Sequence, residues 1–131
     1  MPAVKIPKVL TVSEVLDMVV EYYGADPEAR RSLNEGGDCC YCGPDGKHCA
    51  VALFAKGKRK DLGEHEDESV SDIWKHLPKR MTKIKVKDGA EAWRFWSAVQ
   101  SLHDLNENWT AKGLSEAGRE ALEDIREDFE P

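Results

Sequence analysis

Apolar residues recur at helical spacing in four separate stretches of this 131-residue chain, and this pattern constrains the fold more than any other feature. Repeats of three and four residues place side chains on one face of a helix. The four apolar stripes are Val12, Val15, Leu16, Val19 and Val20; Val70, Ile73, Trp74 and Leu77; Trp93, Phe95, Trp96, Val99 and Leu102; and Ala117, Ala121, Leu122, Ile125 and Phe129. The sequence therefore predicts a mostly helical protein.

Capping residues set the ends of several of these helices. Thr11 and Glu14 have the spacing of a capping box, in which the two side chains satisfy free amides at a helix start. Ser115 is a good N-cap for the last helix. A short helix is expected over 69–77, and the longest one from about residue 88 to 105.

Two stretches predict the β-structure. Residues 38–52 contain Gly43-Pro44-Asp45-Gly46, a strong turn signal, and are expected to form an antiparallel hairpin. Residues 81–87 are expected to form a half-buried strand with a lysine-protected edge. In that stretch Thr82, Ile84 and Val86 alternate with Lys83, Lys85 and Lys87.

These elements together predict an α+β fold. We expect a mostly helical single domain over 1–131 with a small antiparallel β-hairpin or sheet, a size that one hydrophobic core can support. Residues 1–10, with two prolines, are expected to form an extended N-terminal arm, and residues 56–68 a charged loop.

The charge distribution bears on the partner. The chain has 25 acidic and 19 basic residues, a net charge of −6, which makes it a poor general nucleic-acid binder. Residues 56–87 nevertheless hold 10 basic and 6 acidic side chains. Lysines and arginines of 56–60 and 75–87, with Lys83, Lys85 and Lys87 foremost, are therefore candidate contacts to a nucleic acid or an acidic patch.

The sequence also predicts where the protein works. No apolar run approaches the roughly 18 residues that a membrane span needs. The N-terminal stretch lacks a secretory pattern, because charged residues interrupt its short apolar run. We expect a cytoplasmic protein without a membrane partner.

Four cysteines and a histidine lie within eleven residues, at Cys39, Cys40, Cys42, His48 and Cys49. Cys39 and Cys42 have the two-residue gap of a zinc knuckle, but no second separated ligand pair follows. Buried thiols that support the hairpin, a Cys40–Cys49 disulfide and a catalytic thiol are the other interpretations. The sequence leaves all four open.

A second polar cluster lies at the end of the longest predicted helix. His103 and Asp104 are adjacent there, and Asn108 and Trp109 follow. A histidine beside a carboxylate can act as a base or a ligand, or it can stabilise the helix end. Trp93 and Trp96 are expected in the core, whereas Trp109 is expected in a loop, where an exposed aromatic ring could anchor a partner.

Motifs for known chemistries are absent from the sequence. It has no glycine-rich phosphate loop, no nucleophile elbow and no zinc-binding H-E-x-x-H helix. We therefore assign no catalytic residue, no metal ligand and no cofactor.

Two motifs resemble those of a group of small uncharacterised proteins from bacteriophages and bacteria. They are Cys39-Cys40-Tyr41 with Cys49-Ala50-Val51, and Gln100-Ser101-Leu102-His103-Asp104 with Asn108-Trp109. This chain departs from the group in its additional thiols at Cys40 and Cys42 and in Ala52, where the group has glycine. The resemblance implies no activity, because none is associated with the group.

The sequence favours a non-enzymatic binding or accessory protein. We expect it to be phage-encoded and to modulate a host macromolecule, and an inhibitor of host defence is one version of this hypothesis. Its partner is expected to be a protein. Alternatives are a zinc-supported nucleic-acid-binding module and a small enzyme that uses His103-Asp104 or Cys49. The candidate binding residues are His103, Asp104, Trp109, Lys83, Lys85 and Lys87.

Overall fold

The computed structural model describes residues 6–25, 49–55 and 70–131. In these ranges the α-helices are α1 (Val12–Ala25), α2 (Ala50–Phe54), α3 (Lys79–Thr82), α4 (Ala92–Asp104) and α5 (Glu116–Phe129). Short 3₁₀ turns span Trp74–His76 and Asn106–Asn108, and strand β1 (Trp109–Thr110) pairs antiparallel with β2 (Gly113–Leu114). The predicted α+β class, mostly helical with a small antiparallel sheet, is confirmed.

Helix α1 begins at the predicted capping box. The Thr11 hydroxyl accepts the amide hydrogen of Glu14 at 3.1 Å and donates to the Glu14 carboxylate at 2.9 Å. The residues of α1 that are buried in the core are Val12, Val15, Leu16, Val19 and Tyr23. The helical stripe predicted from the sequence therefore faces the core, with Val20 half-buried beside it.

The two tryptophans of α4 differ in burial. Trp96 is fully buried, and its indole N–H donates to the carbonyl oxygen of Met81 at 2.8 Å. Trp93 is only half-buried; its indole N–H donates to the Glu91 carboxylate, and the Arg94 guanidinium lies over its ring. The prediction that Trp93 belongs to the core is wrong, because its indole contacts the exposed residues Glu91 and Arg94.

Helix α4 begins four residues later than expected. Gly89 has a positive φ of 86°, a conformation that glycine adopts readily and that a right-handed helix cannot include. The chain turns there, and Glu91, in an extended conformation, is the N-cap.

The helix expected over 69–77 is reduced to the 3₁₀ turn Trp74–His76. Leu77 is extended (φ −84°, ψ 145°), as expected for a residue that precedes proline. So short a stretch ending at Pro78 cannot propagate an α-helix. The apolar pattern still predicts the burial correctly for Val70, Ile73 and Leu77.

The prediction of a strand over 81–87 is wrong. Residues 81 and 82 belong to α3, and Lys85 forms only an isolated parallel bridge with Thr11. Beyond Thr11 the chain enters α1, so the bridge cannot extend into a ladder. The predicted alternation holds from residue 84, because Ile84 is buried, Val86 is half-buried, and Lys85 and Lys87 are exposed.

The predicted hairpin of 38–52 is also wrong in its second strand. Residues 38–48 lie outside the described residues, but Ala50–Phe54 is the helix α2, and every one of its residues is fully buried. Buried backbone groups need partners. The helix supplies them locally, with the Leu53 amide donating to the Cys49 carbonyl at 2.9 Å. Within the described ranges the antiparallel pairing is instead Trp109 with Leu114 and Thr110 with Gly113.

Ser115 is the N-cap of helix α5, as predicted. The Ser115 hydroxyl accepts the amide hydrogen of Gly118 at 3.0 Å. Ile125 and Phe129 are buried, whereas Ala117, expected to face inward, is exposed. The guanidinium of Arg126 bonds to the carboxylate of Asp17 at 2.8 Å, which ties α5 to α1.

In the part of the chain that the structure describes, no helix is both long enough and apolar enough to cross a bilayer. The predicted charged loop 56–68 and the first five residues of the predicted N-terminal arm lie outside the described ranges.

The close packing of α5 around Gly118 can be tested by mutation. A β-carbon at this position would lie 2.7 Å from Leu114 Cδ2 and would overlap the Asn108 carbonyl oxygen. Glycine to alanine inside a helix is normally stabilising, by about 0.5–1 kcal/mol. Here we expect Gly118→Ala to lower the free energy of unfolding by about 1–3 kcal/mol through overpacking.

Urea unfolding measures this change, with the exposed Glu123→Ala on the same helix as the control. The control is expected to change stability by less than about 0.5 kcal/mol. A Gly118→Ala protein as stable as the parent would contradict the close approach of α5 to residues 108–114.

Candidate functional site

Gln100, His103 and Asp104 share one face of α4, because residues three and four apart are neighbours on a helix. The Gln100 side-chain oxygen accepts the Val51 amide hydrogen at 3.1 Å. Val51 lies in the first turn of α2, where amides have no partner within the helix, and the N-cap Cys49 provides no side-chain bond. Gln100 therefore caps α2 from a neighbouring helix.

His103 and Asp104 continue this network. The Asp104 carboxylate oxygen Oδ1 lies 2.8 Å from His103 Nδ1 and accepts from the Gln100 amide at 3.3 Å. The imidazole is fully buried, and its ring packs edge-on against Tyr23 with centroids 4.8 Å apart. The network of Gln100, His103 and Asp104 thus links α4 to α2 through Gln100 and to α1 through His103, and the Asp104 side chain is 31% exposed.

Trp109 lies beside this network but is not the exposed anchor that the sequence analysis expected. It is only 8% exposed and lies in β1. Its indole N–H donates to the Leu102 carbonyl oxygen at 2.9 Å, and the Asn108 side chain donates to the same oxygen at 3.2 Å. The last carbonyls of a helix have no partner within it, so these two side chains cap the end of α4.

The predicted lysines lie elsewhere. Lys83, Lys85 and Lys87 are exposed, and the backbone amide of Lys87 bonds to the Phe129 carbonyl at the C-terminal end of α5. Asn108 instead bonds to Ser115 at the N-terminal end of α5. A helix of this length separates its ends by roughly 20 Å. The structure therefore does not bring the lysines together with His103, Asp104 and Trp109.

The surroundings of Lys87 are not uniformly basic. Its ammonium group donates to the Glu127 carbonyl oxygen at 3.3 Å. A surface depression of about 620 Å³ beside it is lined by side chains of both signs, including Asp88, Glu91 and Arg94. Mixed charges of this kind do not favour a polyanion over other ligands.

The cysteine cluster is described only at its last member. Cys39, Cys40, Cys42 and His48 lie outside the described residues, and Cys49 is a free, fully buried thiol at the start of α2. Residues 6–25, 49–55 and 70–131 contain no group of three or more metal-ligating side chains. A free Cys49 contradicts the predicted Cys40–Cys49 disulfide, and the other three interpretations stay predictions.

A groove between α4 and α5 is the surface feature that the sequence analysis missed. It has a volume of about 530 Å³. Its apolar lining comes from Ala98, Leu102 and Leu105 on the α4 side and from Ala117, Ala121 and Ile125 on α5. Leu105 is 49% exposed at one end. The signal in the sequence was the pair Ala117 and Ala121, which the helical pattern assigned to the core.

The groove has an acidic rim. The exposed side chains of Glu107, Glu120 and Asp124 line it, and none of the described residues that line it is basic. Apolar surface flanked by charges of one sign is typical of a binding site for a partner of the opposite sign.

Comparisons of the chain with protein-family models, with curated proteins and with solved structures find no match. The resemblance to small phage and bacterial proteins therefore stays a prediction. Function must be inferred from the chemistry of this chain's own residues.

The Gln100 cap can be tested by removing its acceptor. In Gln100→Met the side chain keeps a similar length, but the buried Val51 amide loses its partner. We expect the free energy of unfolding to fall by about 1–3 kcal/mol, the cost of an unsatisfied buried group. Ser101→Ala, at the exposed neighbouring position, serves as the control in urea unfolding. Equal stability of the two variants would refute the capping role.

Trp109→Phe tests whether this ring is structural. The variant removes the N–H that bonds to Leu102, so we expect a loss of about 1 kcal/mol or more in unfolding free energy. Trp93→Phe, at a half-buried position, is expected to cost less. Thermal unfolding of both variants, followed by circular dichroism, gives the comparison. A larger loss at position 93 would contradict the assignment of Trp109 to the end of α4.

Proposed function

We propose that the protein is a non-enzymatic binding protein that contacts another protein through the groove between α4 and α5. The observation that carries this proposal is the groove itself, which combines an apolar lining, the half-exposed Leu105 and an acidic rim. Exposed apolar surface with a polar rim is the usual composition of a protein–protein interface.

The charge of the chain supports a basic partner. The net charge is −6, and α5 exposes many carboxylates to solvent. The exposed acidic residues of this helix are Glu116, Glu120, Glu123, Asp124, Glu127 and Asp128. Such a surface steers a cationic protein toward the groove and repels an anionic one.

Support for the alternatives is weaker. For a small enzyme, His103 and Asp104 would have to reach a substrate, yet the imidazole is fully buried and packs against Tyr23 of α1. For a nucleic-acid module, Lys83, Lys85 and Lys87 are exposed, but the depression beside Lys87 is lined by side chains of both signs. Whether zinc supports such a module depends on cysteines outside the described residues.

The proposed biological setting rests on the sequence. The resemblance to phage and bacterial proteins, together with the acidic surface, supports an accessory protein that acts on a host macromolecule in the cytoplasm. An inhibitor of a defence protein that handles nucleic acid is one version, because the acidic surface can imitate the charge of a nucleic acid.

A capture experiment with two matched variants tests the proposal. Leu105→Glu places a charge at the groove, whereas Val9→Glu makes the same change at a position 77% exposed on the N-terminal arm. The tagged parent protein is expected to retain a saturable partner from a bacterial host lysate at low and moderate salt. We expect Leu105→Glu to lose this partner and Val9→Glu to retain it.

Two results would count against the proposal. One is the absence of any saturable partner for the parent protein at either salt concentration. The other is equal retention of the partner by the parent and by Leu105→Glu. Circular dichroism of both variants confirms that each is folded before the comparison.

A further inference from the structure

The groove has the dimensions of a site for a single helix. One wall carries Ala98 and Leu102 of α4, which are four residues apart, and Leu105, the extended residue that follows the helix. Its α5 wall carries Ala117, Ala121 and Ile125, each four residues apart. The α5 row follows one helix face for about two turns, or roughly 12 Å, whereas Ala98 and Leu102 follow one face of α4 for about one turn. Partner side chains spaced at i, i+3 or i+4, and i+7 would meet such a pair of walls.

The small side chains of the groove favour a close approach. Three of the six apolar residues that line it are alanines, and Leu102 and Ile125 are buried at its floor. A third helix can therefore pack on α4 and α5 at an ordinary interhelical distance. Leu105, which is half-exposed at one end, would be covered by the same helix.

The hydrogen-bonding groups of the groove argue against an extended peptide. A strand binds by adding to a sheet edge, where main-chain groups supply most of the affinity. Side chains of two helices line this groove, and the Asn108 backbone carbonyl beside them already accepts from the Ser115 amide. A helix satisfies its own backbone and needs no such edge.

The charges at the rim set the chemistry of the partner. Glu120 and Asp124 are four residues apart on α5, and like charges at this spacing repel one another. Glu107 lies at the groove as well, and no described basic side chain lines it. Lysine or arginine residues of a partner would relieve this repulsion.

We infer that the occupant of the groove is an amphipathic basic helix of another protein. Its apolar residues at i, i+3 or i+4, and i+7 lie between α4 and α5, and its flanking lysines or arginines pair with Glu107, Glu120 and Asp124. This inference rests on the proposed function and specifies the class of partner.

Three synthetic peptides test it. Each has about 18 residues, or five helical turns, and the same leucine stripe at i, i+3, i+4 and i+7. The polar positions are filled with lysine in the first peptide, glutamine in the second and glutamate in the third. Fluorescence anisotropy measures binding to the full chain. We expect the lysine peptide to bind saturably, about tenfold or more tightly than the glutamine peptide at low salt, and the glutamate peptide not to bind.

Charge reversal on α5 locates the peptide. The double variant Glu120→Lys with Asp124→Lys is expected to bind the lysine peptide about tenfold or more weakly than the parent chain does. Glu123→Lys with Glu127→Lys is the matched control, because it reverses an acidic pair of the same spacing that does not line the groove. The control is expected to weaken binding far less, through the net charge alone.

The following results would overturn the inference. The first is the absence of saturable binding of the lysine peptide. The second is an equal loss of affinity in the two double variants. The third is self-association of the parent chain, measured by sedimentation, that Leu105→Glu abolishes. A lysate partner that depends on Leu105, found together with no binding of the lysine peptide, would leave the proposed function intact and refute only the helical basic partner. Loss of both would refute both.

Discussion

The buried helix α2 needs hydrogen-bond partners from elsewhere in the chain, and α3 and α4 each supply one. Its five residues, Ala50–Phe54, are all apolar, so it has no polar side chain with which to cap its own ends. Gln100 of α4 accepts the Val51 amide at one end, and Arg80 of α3 donates to the Phe54 carbonyl at the other, at 3.1 Å. A buried backbone group without a hydrogen-bond partner would lower the free energy of unfolding by more than a typical hydrogen bond adds to it.

This requirement changes how the polar residues of α4 are interpreted. Gln100, His103 and Asp104 have the composition of a reactive site, yet Asp104 bonds to the other two and Gln100 bonds to α2. Trp109 similarly bonds to the end of α4. Because these groups are occupied inside the molecule, the proposed contact with a partner is assigned to the surface. There the groove between α4 and α5 combines apolar side chains with carboxylates of one sign.

The sequence predicted those features that depend on neighbours along the chain. The caps at Thr11 and Ser115 are local hydrogen bonds across three residues, and both are present. It failed for Ala50–Phe54, because a short apolar run has no period that separates a buried strand from a buried helix. It also failed for Trp93 and for the exposure of Trp109, since helical spacing identifies a face but not which elements cover it.

The features of the candidate site can also be separated into those that the sequence determined and those that tertiary packing decided. By itself the sequence determined that helices with apolar stripes form, where two of them begin, and that the chain is acidic, because these properties follow from composition and local spacing. Only the tertiary structure decided that Gln100 bonds to Val51, 49 residues away, and that the alanines of α5 face α4 across an open groove. Such pairings arise when separate helices pack, and no local pattern encodes which distant group becomes the partner of a buried amide.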